Sequence, residues 1–291
     1  MRKSIFEIAA QNVDMASEVN RLIVMATEEH VLLIDSYPHK TLFDYVDQYC
    51  FKTWAHRGHF VDVDDFLSAL EFDDLQDAAE NDTEAFLTLI ELIYNFWQLS
   101  QNMFFNSEKR HRLQWCGNYY HLKKVMDDLL GEYNHKAYIG EESSCVLVIE
   151  DKAEVTSAAE IMPTSSLALD IIKYNHRTLK GNITLKKKIL LELAAHLEPN
   201  RKQLHSINSN LEDDIFFMLN NLNIRHNNRS KKDKNYKEYV AKMRTDRLEK
   251  WYDELYQMIL LAFLQLDNVA RSESVKNLKG KIIEGQNSKK N

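Results

Sequence analysis

Glycine and proline are scarce in this sequence, and their scarcity narrows the possible folds more than any other feature. The 291 residues include 7 glycines and 3 prolines, together about 3% of the chain where roughly 12% is ordinary. Because these residues form the tight turns of β-sandwiches and doubly wound sheets, few such turns can be built here. With 44% apolar and 28% charged residues, the chain has enough apolar groups to form a core. The composition predicts a folded, mainly helical protein, whose length suits two domains.

Apolar residues recur at helical spacing through the first part of the chain, and we expect an N-terminal helical domain at residues 1–135. Thr41 can cap the second of these helices, and Thr83 begins the fourth. The predicted helices cover residues 13–34, a segment after Thr41, a segment opened by Asp62 or Asp64, residues 85–99 and residues 115–130.

A short β-branched run interrupts the helical patterns. Residues 146–149 read Val-Leu-Val-Ile, which is typical of a strand. Further short strands are predicted at residues 137–139 and 153–156, on either side of this run. No other segment of the sequence gives a β signal. We therefore expect a small β-hairpin insert at residues 136–162 that marks the domain boundary.

Four further helical patterns with short links predict an antiparallel four-helix bundle at residues 163–270. Thr164 can cap the first, the second covers residues 185–197, and Asn210 can cap the third. The last pattern is an unbroken helical stripe. Trp251, Leu255, Met258 and Phe263 are predicted to be buried in the bundle. The full set of apolar positions in the stripe is Leu248, Trp251, Tyr252, Leu255, Met258, Ile259, Ala262, Phe263 and Leu266. Residues 271–291 are predicted to form a polar tail.

The two signs of charge are segregated along the chain, although the net charge is only −7. Residues 62–84 contain ten carboxylates and neither lysine nor arginine. Residues 225–250 contain ten basic residues against four acidic ones. Such asymmetry indicates an anionic partner for the basic region, or packing of one region against the other. Ordinary solvated surface is the third interpretation.

Cysteine use and hydropathy indicate the compartment. Cys50, Cys116 and Cys145 are scattered and odd in number, which argues against a disulfide framework and a thiolate metal site. The first residues do not form a signal peptide. The longest uncharged run, residues 92–107, is shorter than the roughly 20 apolar residues that cross a bilayer. We expect a cytoplasmic protein without membrane contact.

Several enzyme classes are excluded by missing motifs. The sequence has no Walker loop, no GxGxxG and no GxSxG, so nucleotide-binding and α/β-hydrolase folds are not indicated. His56 and His59 lie close to Asp62 and Asp64, but this spacing is a weak metal pattern. We expect no cofactor and predict no metal site.

The strongest candidate site is the polar segment that follows the third bundle helix. Asparagine is unfavourable in helix interiors and favourable at helix ends and turns, so this cluster marks either a helix end or a functional site. Arg225 can bind a phosphate through two hydrogen bonds, and His226 can transfer a proton near neutral pH. These two residues are the predicted catalytic pair. The supporting polar residues are Asn220, Asn221, Asn223 and Asn227.

A basic run comes directly after this pair and could hold a polyanion. The predicted nucleic-acid-binding residues are Arg229, Lys231, Lys232, Lys234 and Lys237. The competing interpretation of the whole segment is a helix C-terminus followed by a solvated basic loop.

Residues 164–268 resemble the HEPN superfamily (higher eukaryote and prokaryote nucleotide-binding domains). The resemblance lies in DDIFFMLNNLNIRHNN followed by YVAKMRTDRLEKWYDELYQMILLAFLQL, a layout similar to C-terminal domains of bacterial abortive-infection and phage-defence proteins. Many members are metal-independent ribonucleases that pair two bundles, with an arginine and a histidine from each lining one cleft. The resemblance therefore implies RNA as a partner, and a homodimer with Arg225 near its copy.

The sequence departs from the family motif, an arginine followed after four to six residues by histidine. Arg225 matches the arginine, but His226 is its direct neighbour, and the Arg201–His205 interval is one residue too short. We predict an RNA-acting or RNA-binding protein of a bacterial defence or toxin system, and a candidate metal-independent endoribonuclease. The alternatives are a non-catalytic helical interaction protein, and an antitoxin-like component whose acidic residues 62–84 cover the basic face.

Overall fold

The computed structural model describes residues 14–28, 31–33, 40–106, 113–115, 118–140 and 145–287. The chain divides into two compact units, Met1–Asp151 and Lys152–Asn291. Helices make up most of both units, and two small antiparallel sheets lie in the first. The prediction of a mainly helical fold with a small β element is confirmed.

The helices of the first unit begin where the sequence offers capping side chains. The Thr41 hydroxyl accepts a hydrogen bond from the Asp44 N–H at 3.1 Å, and the Asp62 carboxylate accepts one from the Asp65 N–H at 2.8 Å, which satisfies N–H groups that the helix leaves unpaired. The described helices are α1 (Met15–Thr27), α2 (Leu42–Tyr49), α3 (Val63–Ala69), α4 (Phe72–Ala79), α5 (Thr83–Asn106) and α6 (Tyr119–Glu132).

Two strand pairs accompany these helices. Strands β3 (His135–Ile139) and β4 (Val146–Glu150) pair antiparallel, as the β-branched run predicts. A second antiparallel pair, β1 (Val31–Leu33) with β2 (Leu113–Trp115), is absent from the sequence-based prediction. The helical prediction is wrong for residues 31–33 and for Trp115, because these residues form strands, and Ile34 lies outside the described residues. The pairing joins segments about 80 residues apart, so no local pattern reveals it.

The predicted strand at residues 153–156 is wrong, because these residues begin a helix, α7 (Ala153–Glu160). Its buried residues Val155, Ala158 and Ala159 follow helical spacing, three and four residues apart. Besides its partner β3, strand β4 has helix α5 as a neighbour, to which it is joined by a buried side chain. The Asn95 amide donates to the Val146 carbonyl at 2.9 Å and accepts from its N–H at 2.8 Å.

The second unit is built around its last helix, which packs against four of the others. Asn208, not Asn210, caps the third predicted helix, because its side chain accepts from the Leu211 N–H at 3.2 Å. After α7, the described helices are α8 (Ser165–Tyr174), α9 (Ile183–Leu197), α10 (Arg201–Ile207), α11 (Ser209–Asn221), α12 (Glu238–Ala241) and α13 (Thr245–Asn287).

Helix α13 buries most of the predicted stripe. Leu248, Tyr252, Leu255 and Ile259 are fully buried, whereas Trp251 is 42% exposed, so its predicted burial is wrong. Tyr252 occupies the bundle-facing position instead, about 100° around the helix from Trp251, and its hydroxyl donates to a backbone carbonyl at 3.1 Å. None of the described helices is long and apolar enough to span a membrane.

A buried lysine joins α9 to α13. Lys186 is 6% exposed, and its Nζ lies 2.7 Å from carboxylate oxygens of both Glu249 and Asp253. The Tyr174 hydroxyl also donates to Asp253 at 3.0 Å, while its ring stacks on Tyr256. Burial raises the pKa of Glu249, but hydrogen bonds led by that from Lys186 outweigh it and hold the pKa below its usual value.

Candidate nucleic-acid interface

Helix α11 ends in the asparagine-rich segment. Asn223 adopts a left-handed backbone conformation with φ +63°, which asparagine tolerates better than most residues. The chain then turns back, and the Arg225 N–H donates to the Leu219 carbonyl at 2.9 Å. Asn223 therefore reverses the chain direction and starts a loop that continues to α12.

Asn228 holds this loop together from inside. Its side chain is fully buried, accepts from the Asn223 N–H at 2.7 Å and donates to the Asn235 carbonyl at 2.8 Å. Its own carbonyl accepts from the Lys237 N–H at 2.8 Å. These three bonds join both ends of the loop, so the basic residues between them have a defined backbone.

The other asparagines of the predicted site bond to nearby backbone. The Asn221 amide donates to the Phe217 carbonyl at 2.8 Å. The side-chain oxygen Oδ1 of Asn227 accepts from the N–H groups of Arg229 and Ser230 at 3.3 and 3.1 Å, which forms a tight side-chain turn. Asn220 is half-buried near the end of α11. The described contact of Asn221 thus lies within the last turn of α11, and those of Asn227 shape the loop.

The predicted nucleic-acid-binding residues all have exposed side chains. We call residues 229–237 the basic loop. Arg229 donates to the Met243 carbonyl at 3.1 Å, which attaches the start of the loop to the unit. The four lysines form no ion pair with any residue that the structure describes. Four ammonium groups on an ordered backbone are therefore available to an anion.

The structure gives the two predicted catalytic residues different surroundings. Arg225 forms an ion pair with Glu198, and its guanidinium lies 5.1 Å from the centre of the Phe216 ring. His226 is exposed, and its backbone carbonyl accepts from the Asn228 N–H at 3.0 Å. To bind a phosphate, Arg225 must exchange its carboxylate partner for it, an exchange between two anions that guanidinium binds in similar geometry.

A second arginine lies over the same aromatic ring. The Arg201 guanidinium lies 4.1 Å from the centre of the buried Phe216 ring, within the range of a cation–π contact. Arg201 also pairs with Glu212, which is 2% exposed. We call Arg201, His205, Glu212, Phe216 and Arg225 the Phe216 cluster.

Glu212 is the anionic centre of this cluster. Burial raises its pKa, but hydrogen bonds from His205 and Arg201 outweigh that effect and hold the pKa below its ordinary value. The His205 Nδ1 lies 2.9 Å from a Glu212 oxygen. His205, Glu212 and Asp213 have ligand atoms within 4.8 Å of one another. Because both Glu212 oxygens are already bonded, the group is a poor metal site.

Sequence reasoning overlooked the residues that shape this region. Asn228 follows the four asparagines of the predicted site and, unlike them, is fully buried. No local sequence signal indicates that burial. The Arg201–His205 pair was set aside because its interval is one residue shorter than the family motif, although a spacing of four residues places both side chains on one helix face. Nothing in the sequence indicates that Glu212 lies between them.

Comparisons of the chain with protein-family models, with curated proteins and with solved structures gave no match. The resemblance to HEPN domains therefore stays a hypothesis that rests on the quoted residues.

Proposed function

We propose that this protein binds RNA through the basic loop, in the setting of a bacterial defence or toxin system that the HEPN resemblance suggests. One observation supports RNA binding above all others. Four lysines and Arg229 lie exposed on a backbone that Asn228 holds in place, and the lysines have no ion partner among the described residues. Phosphate contacts of this kind supply most of the affinity of non-specific nucleic-acid binding.

Salt dependence tests this proposal, measured as the affinity for a labelled single-stranded RNA between about 50 and about 200 mM salt. Each phosphate that the loop neutralises adds about −0.7 to the slope of log K against log salt, so five contacts give about −3.5. The variant Lys231→Glu, Lys232→Glu, Lys234→Glu should lose most of the affinity and of the slope. Salt-independent binding contradicts the proposal.

A charge-matched control separates the loop from general electrostatics. Lys52, Lys188 and Lys250 are exposed lysines elsewhere in the chain, and their replacement by glutamate changes the net charge by the same amount. The control variant should bind RNA much more tightly than the loop variant. An equal loss in both variants would mean that overall charge, and not the loop, governs binding.

Cleavage of the bound RNA is the sharper form of the proposal. It is supported by the position of Arg225 and exposed His226 next to the basic loop. Arg225 would stabilise charge on the phosphate and His226 would move a proton. Arg225→Ala and His226→Asn should then abolish cleavage while RNA affinity falls much less. Cleavage that survives both substitutions excludes this pair.

A non-catalytic interaction protein or an antitoxin-like component remains the alternative function. Expression in bacteria distinguishes it from an RNA-cleaving toxin. We expect slowed growth with the wild-type chain and relief of that effect by Arg225→Ala. Unaltered growth with the wild-type chain, together with absent RNA binding, supports a protein partner.

A further inference from the structure

The end of α13 extends beyond the core of its own unit. All side chains in residues 270–283 are exposed, although the backbone stays helical to Asn287. An isolated helix of this length is only marginally stable in water, because most helical stability comes from packing of an apolar face. The segment contains such a face, and no other described element covers it.

This face is a narrow stripe of large apolar side chains. Each residue turns the helix by about 100°, and the side chains of the stripe all fall within one arc of roughly 100° around the helix axis. This arc lies approximately opposite the buried Leu255, Ile259 and Ala262. A second helix along the stripe therefore approaches from the side away from the bundle core. We call this set the C-terminal stripe: Leu261, Leu264, Val275, Leu278 and Ile282. Its members Leu261, Val275, Leu278 and Ile282 are 46%, 47%, 57% and 52% exposed.

The spacing of the stripe is that of a coiled coil. One row runs at intervals of seven through Leu261, Asn268, Val275 and Ile282, and a second runs through Leu264, Arg271 and Leu278. Alternating intervals of three and four residues are the pattern by which two helices interlock. The occupant that fits this stripe is therefore another helix with a matching pattern.

The charges along α13 select both the occupant and its direction. Asp267 and Lys281 carry opposite charges and flank the stripe on the same side, fourteen residues apart. A parallel copy would place Arg271 against its own counterpart within an apolar seam, which is unfavourable. An antiparallel copy places Arg271 beside Val275 of the second copy, and Asp267 beside Lys281.

We propose that α13 pairs antiparallel with α13 of a second copy of this chain through the C-terminal stripe. In this register Leu264 of each copy meets Ile282 of the other. Asp267 of each copy faces Lys281 of the other, so the dimer has two such pairs. The pairing does not depend on RNA binding, and its test uses a separate measurement.

Light scattering of the full chain after size-exclusion chromatography tests the surface. Val275→Lys, Ile282→Lys should raise the dimer Kd at least about 100-fold, because each copy loses two apolar contacts. Ala270→Lys, Asn277→Lys adds the same charges at the same spacing on the opposite, exposed face, and should leave the dimer intact. Unfolding curves check that both variants fold. A monomeric wild type, or a dimer that survives the stripe lysines, overturns the proposal.

Charge reversal tests the direction of pairing. Asp267→Lys and Lys281→Asp should each weaken the dimer by about 3- to 10-fold, and the double variant should recover most of that loss. Asp267 also pairs with Arg271 in its own helix, so the recovery is the decisive result. A double variant as weak as the single ones overturns the antiparallel register.

Discussion

The second unit uses its cationic side chains in two contrasting ways. Around Phe216 and Lys186, each cation named above has a carboxylate partner, and two of the carboxylates, Glu212 and Glu249, have lowered pKa values. In the basic loop the lysines have no ion partner among the described residues. Both regions are rich in charge, yet the named cations of the first already have carboxylate partners, whereas the four loop lysines are available to a new anion.

This difference shows why counting charges does not locate a binding site. A buried pair has already exchanged hydration for a fixed partner, and separating it costs free energy. An exposed lysine keeps its hydration and a diffuse counterion, which it can exchange for a phosphate. Substitutions in the paired regions should therefore affect stability first, and substitutions in the loop should affect binding first.

The largest effect is expected from Lys186→Ala. The substitution leaves Glu249, whose side chain is 16% exposed, without its cation, and breaking a buried pair typically costs about 3–5 kcal/mol. Chemical denaturation measures the loss. Lys188→Ala, two residues along on the exposed side of α9, should stay within about 0.5 kcal/mol of wild type. Equal effects in both variants would show that the Lys186 pair does not stabilise the unit.

Asn228→Ala should have the next largest effect, and it links the two regions. Two backbone groups, the Asn223 N–H and the Asn235 carbonyl, lose their partner, which costs about 1–3 kcal/mol. RNA affinity should also fall, because the loop loses its fixed backbone. Denaturation and RNA titration together check this. Unchanged stability with reduced affinity would indicate that Asn228 itself contacts RNA.

Asn223→Ala should cost about 1–2 kcal/mol, because alanine resists the left-handed conformation with φ +63°. Asn223→Gly is the matched control, since glycine adopts that conformation freely, and its stability should remain close to wild type. Thermal unfolding of both variants provides the comparison. A glycine variant as unstable as the alanine variant means that the asparagine side chain, not the backbone, matters.

The smallest effect is the pH dependence that Glu212 contributes. Its folded pKa lies below the ordinary value of 4.5, so the ionised carboxylate stabilises the fold above that pH. This contribution disappears as the pH falls through the folded pKa. The melting temperature of wild type should therefore decline more steeply than that of Glu212→Gln between about pH 5 and about pH 3. Parallel profiles would exclude a role for Glu212 in acid unfolding.

Local sequence signals were sufficient for most helices but not for long-range pairs. Thr41, Asp62 and Thr164 cap helices where the sequence predicts them, because a cap bonds to an N–H group within its own first turn. The sequence did not predict strands β1 and β2, because each is three residues long and is stabilised by a partner far along the chain. Trp251 was assigned to the core because helical periodicity alone does not define the edge of a buried face.

The sequence by itself determined the helical class of this protein, through its scarcity of turn residues, its apolar periodicity and its caps. It also located the basic loop, because a run of lysines next to asparagines is a local feature. Only the tertiary structure decided which charges are neutralised. Glu212 and Glu249 meet their cations through the packing of separate helices, and Glu198 meets Arg225 of the segment after α11. Asn228 becomes the centre of its loop only when the backbone closes around it. Whether a charged side chain can bind a new partner depends on how close opposite charges lie in space, and the sequence gives only the separation of residues along the chain.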